Sequence, residues 1–187
     1  MFRGEKQQGF TLIELMVALA IAIIVIALST PISNVFKQNR VTSLEHEFVT
    51  SLNLARSAAV STATPVAVCR ADPNNPNICA VPGAAGRRLW EQGWIVFDDP
   101  NNNCVINAGE TVLQQHAALT PGYTLRVAAI DCITYNAAGL ALASAGTWSL
   151  CDPNQIAQYQ RAINLGVTGR VSLLTQAQIL AQAIPCP

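Results

Sequence analysis

Histidine is nearly missing from this 187-residue chain, with two copies, and charge is thin: lysine, arginine, aspartate and glutamate make up 12%. There is no Cys-x-x-Cys, no His-Glu-x-x-His, no Gly-x-Ser-x-Gly and no phosphate-cradling glycine loop. These gaps remove the usual frames for a zinc site, for nucleophilic hydrolysis and for nucleotide binding. His46 falls on the polar side of a helical pattern, and His116 has no acid at a suggestive spacing. The chain is therefore read as no enzyme, with no cofactor and no metal. An excess of positive charge is also absent. Nine basic and nine acidic side chains follow Pro31, and the formal net charge is zero. A polyanion-binding protein normally neutralises many phosphates with lysine and arginine, so the composition as a whole does not favour one.

What is present is an apolar run and a set of cysteines. From Leu15 to Ser29 the chain carries no charge, glycine or proline, and Phe10 to Ile13 extend the run with only Glu14 interrupting. About 20 apolar residues span a bilayer as a helix, so residues 10–30 are read as a membrane anchor. Arg3 and Lys6 precede it, which puts the start of the chain in the cytoplasm and exports the rest. Cys69, Cys79, Cys104, Cys132, Cys151 and Cys186 all lie on the exported side. An even count there points to disulfides, with 15 pairings open.

The start is not an ordinary secretory signal. In such a signal the cleavage site follows the apolar stretch; here the Gly9-Phe10 junction precedes it. From the residues alone, an uncleaved anchor remains open. The stretch "GFTLIEL" after a short basic leader resembles the leader junction of type IV pilins and type II secretion pseudopilins. That resemblance implies cleavage between Gly9 and Phe10 by a prepilin peptidase and methylation of the new amine on Phe10. It makes Glu14 the fifth mature residue, able to pair with the N-terminal amine of a neighbouring subunit, and Pro31 the site of a helix kink. It also supplies partners, namely the peptidase, other major and minor pilins, and the inner membrane. A carboxylate in a membrane span costs about 2.5–3.5 kcal/mol at the helix centre and is usually functional.

Residues 1–9 then form a leader, 10–62 a long helix and 63–187 a β-rich periplasmic domain. Within residues 34–62, the amphipathic half, Leu44, Phe48, Leu52, Ala55 and Ala59 recur at helical spacing, a stripe that packs on a core. Beyond it, short runs bounded by "ADPNNPN", "DDPNNN", "TPGY", "NAAG", "DPNQ" and "GVTG" read as strands and turns. One strand is expected over Arg88–Phe97, and another over Tyr159–Leu165. "LNLARSAAVSTATPVAVC", "WEQGWIVFDD", "ITYNAAG" and "RAINLGVTGRVSL" are similar to one branch of the family, the FimT and FimU minor pilins and the GspH pseudopilin. The implied fold is α+β, the type IV pilin fold, with a long N-terminal helix packed on a mainly antiparallel sheet.

Three stretches carry further candidates. Trp90 and Trp94, four apart on the expected strand, share one face and read as core. "DDPNNN" at 98–103 offers oxygen ligands of the kind calcium takes, yet Asp, Pro and Asn are ordinary turn residues. Some FimT-type pilins are implicated in DNA uptake through a basic Gly-Arg-x-Arg motif. Here Gly169 and Arg170 match it and Ser172 does not, leaving Arg170, Arg161, Arg87 and Arg88 as candidate DNA contacts. The function expected is that of a minor pilin, helping to initiate a type IV pilus or joining its tip complex. A GspH-type pseudopilin of type II secretion, a DNA-binding pilin for natural transformation, and an anchored periplasmic domain outside any filament are the alternatives. The protein would sit first in the bacterial inner membrane as a single pass, then in a filament.

Overall fold

The computed structural model of the chain describes residues 10–29, 32–81 and 87–186. It divides into two compact units, residues 1–38 and residues 39–187. In the first lies helix α1, Leu12–Ser29. Thr11 caps it: its hydroxyl accepts the Glu14 backbone N–H at 3.3 Å, and its carbonyl accepts the N–H groups of Glu14 and Leu15. Eighteen residues at 1.5 Å each give about 27 Å, a little short of a bilayer core. Among the described residues no helix is long and apolar enough to cross a membrane by itself. The sequence reading counts Phe10 and Thr11 into the span, whereas the helix starts after them. Pro31 and Gly9 lie outside the described residues.

Helix α2, Ile32–Thr62, brings its later turns into the second unit. There Val41, Leu44, Phe48, Leu52, Ala55 and Ala59 are buried on one side. They meet two antiparallel sheets. The strands are β1 (Val66–Arg70), β2 (Arg87–Leu89), β3 (Trp94–Asp98), β4 (Val112–His116) and β5 (Thr124–Ala128), then β6 (Cys132–Tyr135), β7 (Gly146–Cys151), β8 (Arg161–Leu165) and β9 (Val171–Leu173). One sheet runs β4-β3-β1-β6 and the other β2-β5-β7-β8-β9. A short helix α3, Gln176–Ala181, follows, with Thr175 and Gln178 forming a capping box.

The strand expected over Arg88–Phe97 is in fact two strands in different sheets. A single 3-10 turn, Trp90–Gln92, separates them. Gly93 causes the break. It sits at φ +100, and a Cβ there would come 2.4 Å from the His116 carbonyl oxygen, so neither its backbone conformation nor its space admits another residue. Trp90 and Trp94 therefore do not share a strand face. Both still enter the core, because the turn swings Trp90 over Phe48. A 3-10 turn likewise takes the start of the strand expected over Tyr159–Leu165.

The Phe48 ring lies 5.6, 5.0 and 5.7 Å from the Trp90, Trp94 and Trp148 rings. Buried indole N–H groups need partners. Trp94 donates to Ser51 Oγ at 2.9 Å and Trp90 to the Ile130 carbonyl at 2.9 Å. Arg56, on the same helix, donates to the Gly139 carbonyl at 3.0 Å and the Thr168 carbonyl at 3.1 Å. It thereby holds the "NAAG" and "GVTG" turns against each other. They touch at Gly169, where an added Cβ would lie 2.0 Å from the Gly139 oxygen.

The first sheet has a second apolar face, formed by Ala67, Cys69, Ala71, Ile95 and Phe97. The covering there comes from loops. Cys69–Cys79 and Cys104–Cys132 tie those loops down, and Cys79, Cys104, Ile106 and Cys132 pack on the face. A third bond, Cys151–Cys186, fastens the C-terminal segment to β7.

Candidate functional site

The candidate residues fall into two groups in separate units. The first is the head of α1. Phe10 is 83% exposed, and the side chains from Leu12 to Ile26 are exposed along the helix. Glu14 sits in the first turn, where the helix dipole favours a negative charge. Thr11 belongs to the leader-junction motif, and Thr11-Leu12-Ile13-Glu14 also has the Thr-x-x-Glu spacing of a capping box. It fixes where the helix starts and so how far Glu14 stands from Phe10.

The second group is spread over the globular unit. Arg170 is exposed, just after the tight turn at Gly169. Arg161 is engaged: its guanidinium lies 3.8 Å from Glu45 and donates to the Gln160 carbonyl at 3.0 Å. The side chains of Arg87 and Arg88 lie outside the described residues. Asp99, in the candidate oxygen-rich loop, is fully buried. Its two carboxylate oxygens accept the N–H groups of Asn103 and Cys104, at 3.0 and 2.9 Å. Asp99 thus shapes the turn that presents Cys104 to Cys132. Among the described residues no group of three or more His, Cys, Asp or Glu side chains could hold a metal ion.

His116 ends the edge strand β4 and stacks on Trp94, with ring centroids 3.9 Å apart and planes 7° apart. Its Nε2 donates to Glu47 Oε2 at 2.9 Å, and Ser43 Oγ donates to Glu47 Oε1 at 2.9 Å. Partial burial pushes the Glu47 carboxyl up, but these bonds and the nearby Arg40 outweigh it and hold the group below its ordinary value of 4.5. Glu45 moves the other way. Burial raises it above 4.5, against the opposing pull of Arg161 and His46.

The signs follow by linkage. In the window below pH 4.5 the unfolded chain binds a proton at Glu47 that the folded chain refuses. The stability Glu47 contributes is therefore present above pH 4.5 and lost as pH falls through its folded value. At Glu45 the folded chain keeps the proton longer, so stability falls as pH rises from 4.5 through the raised value. His116→Gln should destabilise the protein above pH 4.5 and lose that effect in stronger acid. Glu45→Gln should flatten the decline above 4.5. Thermal melts of the two variants against pH test both signs, and parallel curves for parent and variants would refute the assignment.

Residues 46–169 match the family described as type II transport protein GspH. Residues 5–30 match the prokaryotic N-terminal methylation motif. No curated protein sequence matches the chain. Among solved structures, the fold is similar to the type IV minor pilin FimU of Pseudomonas aeruginosa (TM-score 0.55, 20% identity, 75% of this chain and 92% of that one). It is also similar to the minor pseudopilin EpsH from the type II secretion system of Vibrio cholerae (TM-score 0.51, 13% identity, 73% and 97%). The family match covers more than half of the chain, the methylation motif stands at its head, and helix and antiparallel sheets complete the α+β pilin-like fold: the chain belongs to the GspH family of type IV pilin-like proteins.

Proposed function

We propose that this chain is a minor pilin, made with a leader of residues 1–9, anchored in the inner membrane through residues 10–30 and later packed into a type IV pilus, where it helps initiate assembly or joins the tip complex. Prepilin peptidase cuts between Gly9 and Phe10, and the new amine on Phe10 is methylated. The β-rich part, residues 63–187, stays on the periplasmic side. The observation that carries the reading is the head of α1. An apolar helix exposes its side chains along its described length, and its one carboxylate stands in the first turn beside the cleavage junction. Such a surface calls for lipid or for other helices of the same kind. In a filament Glu14 neutralises the amine of a neighbouring subunit, which removes two charges from an apolar core at once. Major and minor pilins are then its partners, and the motif with the fold supports this.

Gly9→Ala should leave the precursor uncut, heavier than mature protein by the leader, and absent from sheared filaments. Glu14→Ala should be cut and methylated normally yet enter filaments about tenfold less, the loss given by roughly 1.4 kcal/mol of pairing. Mass spectrometry and quantitative blotting read both. A normal mature mass for Gly9→Ala would sink the processing claim. Deleting the protein should remove surface pili and leave protein secretion intact; the reverse pattern would assign it to a type II secretion system instead.

A further inference from the structure

Four of the six cysteines stand together on the second apolar face of the first sheet. Cys69 in β1 and Cys132 in β6 are direct partners in the strand register. One step along, the Arg70 N–H donates to the Asp131 carbonyl at 3.2 Å, and Arg70 Nε donates to Asp131 Oδ1 at 2.6 Å. The hydrogen-bonded pair is therefore 70 with 131, which makes 69 with 132 a non-hydrogen-bonded pair. In antiparallel sheets such pairs bring their Cα atoms to about 4.5 Å with the side chains close together. A disulfide spans Cα separations of about 4.4–6.8 Å, so the sheet holds Cys69 and Cys132 at bonding separation. Each is nevertheless bonded to a loop cysteine, Cys69 to Cys79 and Cys132 to Cys104.

The two loop cysteines are also neighbours. Cys79 and Cys104, both half-buried, line one cavity of about 310 Å³ together with Ile78, Val81 and Val105. Val81 is 75% and Val105 52% exposed, so the cavity borders solvent and a thiol reagent can enter it. Cys69, by contrast, is buried. The accessible sulfurs are thus on the loops, and the sulfurs that the backbone holds side by side are on the strands.

We propose that this cluster is a thiol–disulfide exchange site: a dithiol reductant converts the two strand-to-loop bonds into one strand-to-strand bond, Cys69–Cys132, and leaves Cys79 and Cys104 as free thiols. A thiolate of the dithiol attacks Cys79 Sγ, which breaks Cys69–Cys79 and forms a mixed disulfide with Cys79. The released Cys69 thiolate attacks Cys132 Sγ, which forms Cys69–Cys132 and expels the Cys104 thiolate. The second thiol of the reagent then attacks its own sulfur in the mixed disulfide and frees Cys79. The reagent leaves as a cyclic disulfide, oxidised by two electrons, and its two protons end on Cys79 and Cys104. Entry at Cys104 reaches the same product by the mirror route. Fixed proximity favours the internal attack, and the product asks neither loop to stay ordered. The exchange loosens the cover over Ala67, Ile95 and Phe97 while adding a staple between β1 and β6. All of these residues lie in the unit 39–187, so the inference is independent of how the N-terminus is processed or where the protein assembles.

The test is a titration of the full oxidised chain, in detergent micelles, with dithiothreitol under native conditions. Thiols are trapped with a maleimide in acid, and the chain is digested without reduction for mass spectrometry. Among molecules with two of these four cysteines free, most should carry the label on Cys79 and Cys104 and yield a peptide pair joined by Cys69–Cys132. A majority labelled on Cys69 with Cys79, or on Cys104 with Cys132, would overturn the proposal. So would an even spread over pairs, or passage straight from none to four free thiols. The double variant Cys79→Ser, Cys104→Ser, once folded, should show no free thiol and the Cys69–Cys132 bond; free thiols on both strand cysteines would count equally against it.

Discussion

Phe48→Ala is expected to remove about 3–5 kcal/mol of stability, the range for truncating a fully buried phenylalanine. The ring is at the meeting point of the three buried tryptophans, with all three centroids within 5.7 Å. Edge-on and tilted ring contacts each add to simple area burial. The site cannot collapse easily, because Trp94 is held by Ser51 and Trp90 by the Ile130 carbonyl. The cavity therefore stays open, and the loss falls toward the upper end. Phe48→Leu fills much of the space and should lose about 1–2 kcal/mol. Denaturant unfolding at neutral pH, followed by tryptophan fluorescence, measures both. A loss under about 1.5 kcal/mol for the alanine variant would mean that the helix is not the keystone of this core.

Replacing Cys104 and Cys132 together by serine is expected to cost about 3.5 kcal/mol on the loop-closure estimate for a separation of 28 residues. The same change at Cys69 and Cys79, separated by 10, should cost about 2.7 kcal/mol. Beyond chain entropy, both bonds hold the covering of a sheet face whose described packing partners come from loops and strands. Removing both should therefore loosen that face as well and leave the variant marginal, given total stabilities of about 5–15 kcal/mol. Reduction of the parent protein should cost more in a melt, because it also opens Cys151–Cys186. Both serine pairs matching the parent to within about 1 kcal/mol would show that the loops hold by packing alone.

Much of this architecture is legible from residues. The stripe Leu44, Phe48, Leu52, Ala55 and Ala59 reads as a buried helix face because each of its members has its burial set by helical spacing, and all five are buried. A helix preceding strands punctuated by turns reads as α+β, and the resemblance of the leader junction and strand motifs to pilins is what implies the pilin fold. The division of Arg88–Phe97 is not legible, since it depends on one glycine whose positive φ is enforced by the His116 carbonyl, a contact made across the sheet. Disulfide pairing is hidden for a similar reason. Cys69 and Cys132 are direct neighbours in the β1–β6 register, yet each bonds to a loop cysteine, because the loops and not the strands supply the covering layer. At the head of α1, by contrast, Thr11 and Glu14 are three residues apart, and their capping contact is written in local spacing.

The three disulfides are also sequential: 69–79, 104–132 and 151–186 follow one another without overlapping. When a pulling force acts on the globular unit, sequential staples act as travel stops. Even if the strands were pulled apart, separations of 10, 28 and 35 residues, roughly 250 Å of extended chain, could not lengthen. The last stop ties Cys186 to Cys151, so force entering the chain beyond Cys186 is passed straight to β7 without first unravelling α3.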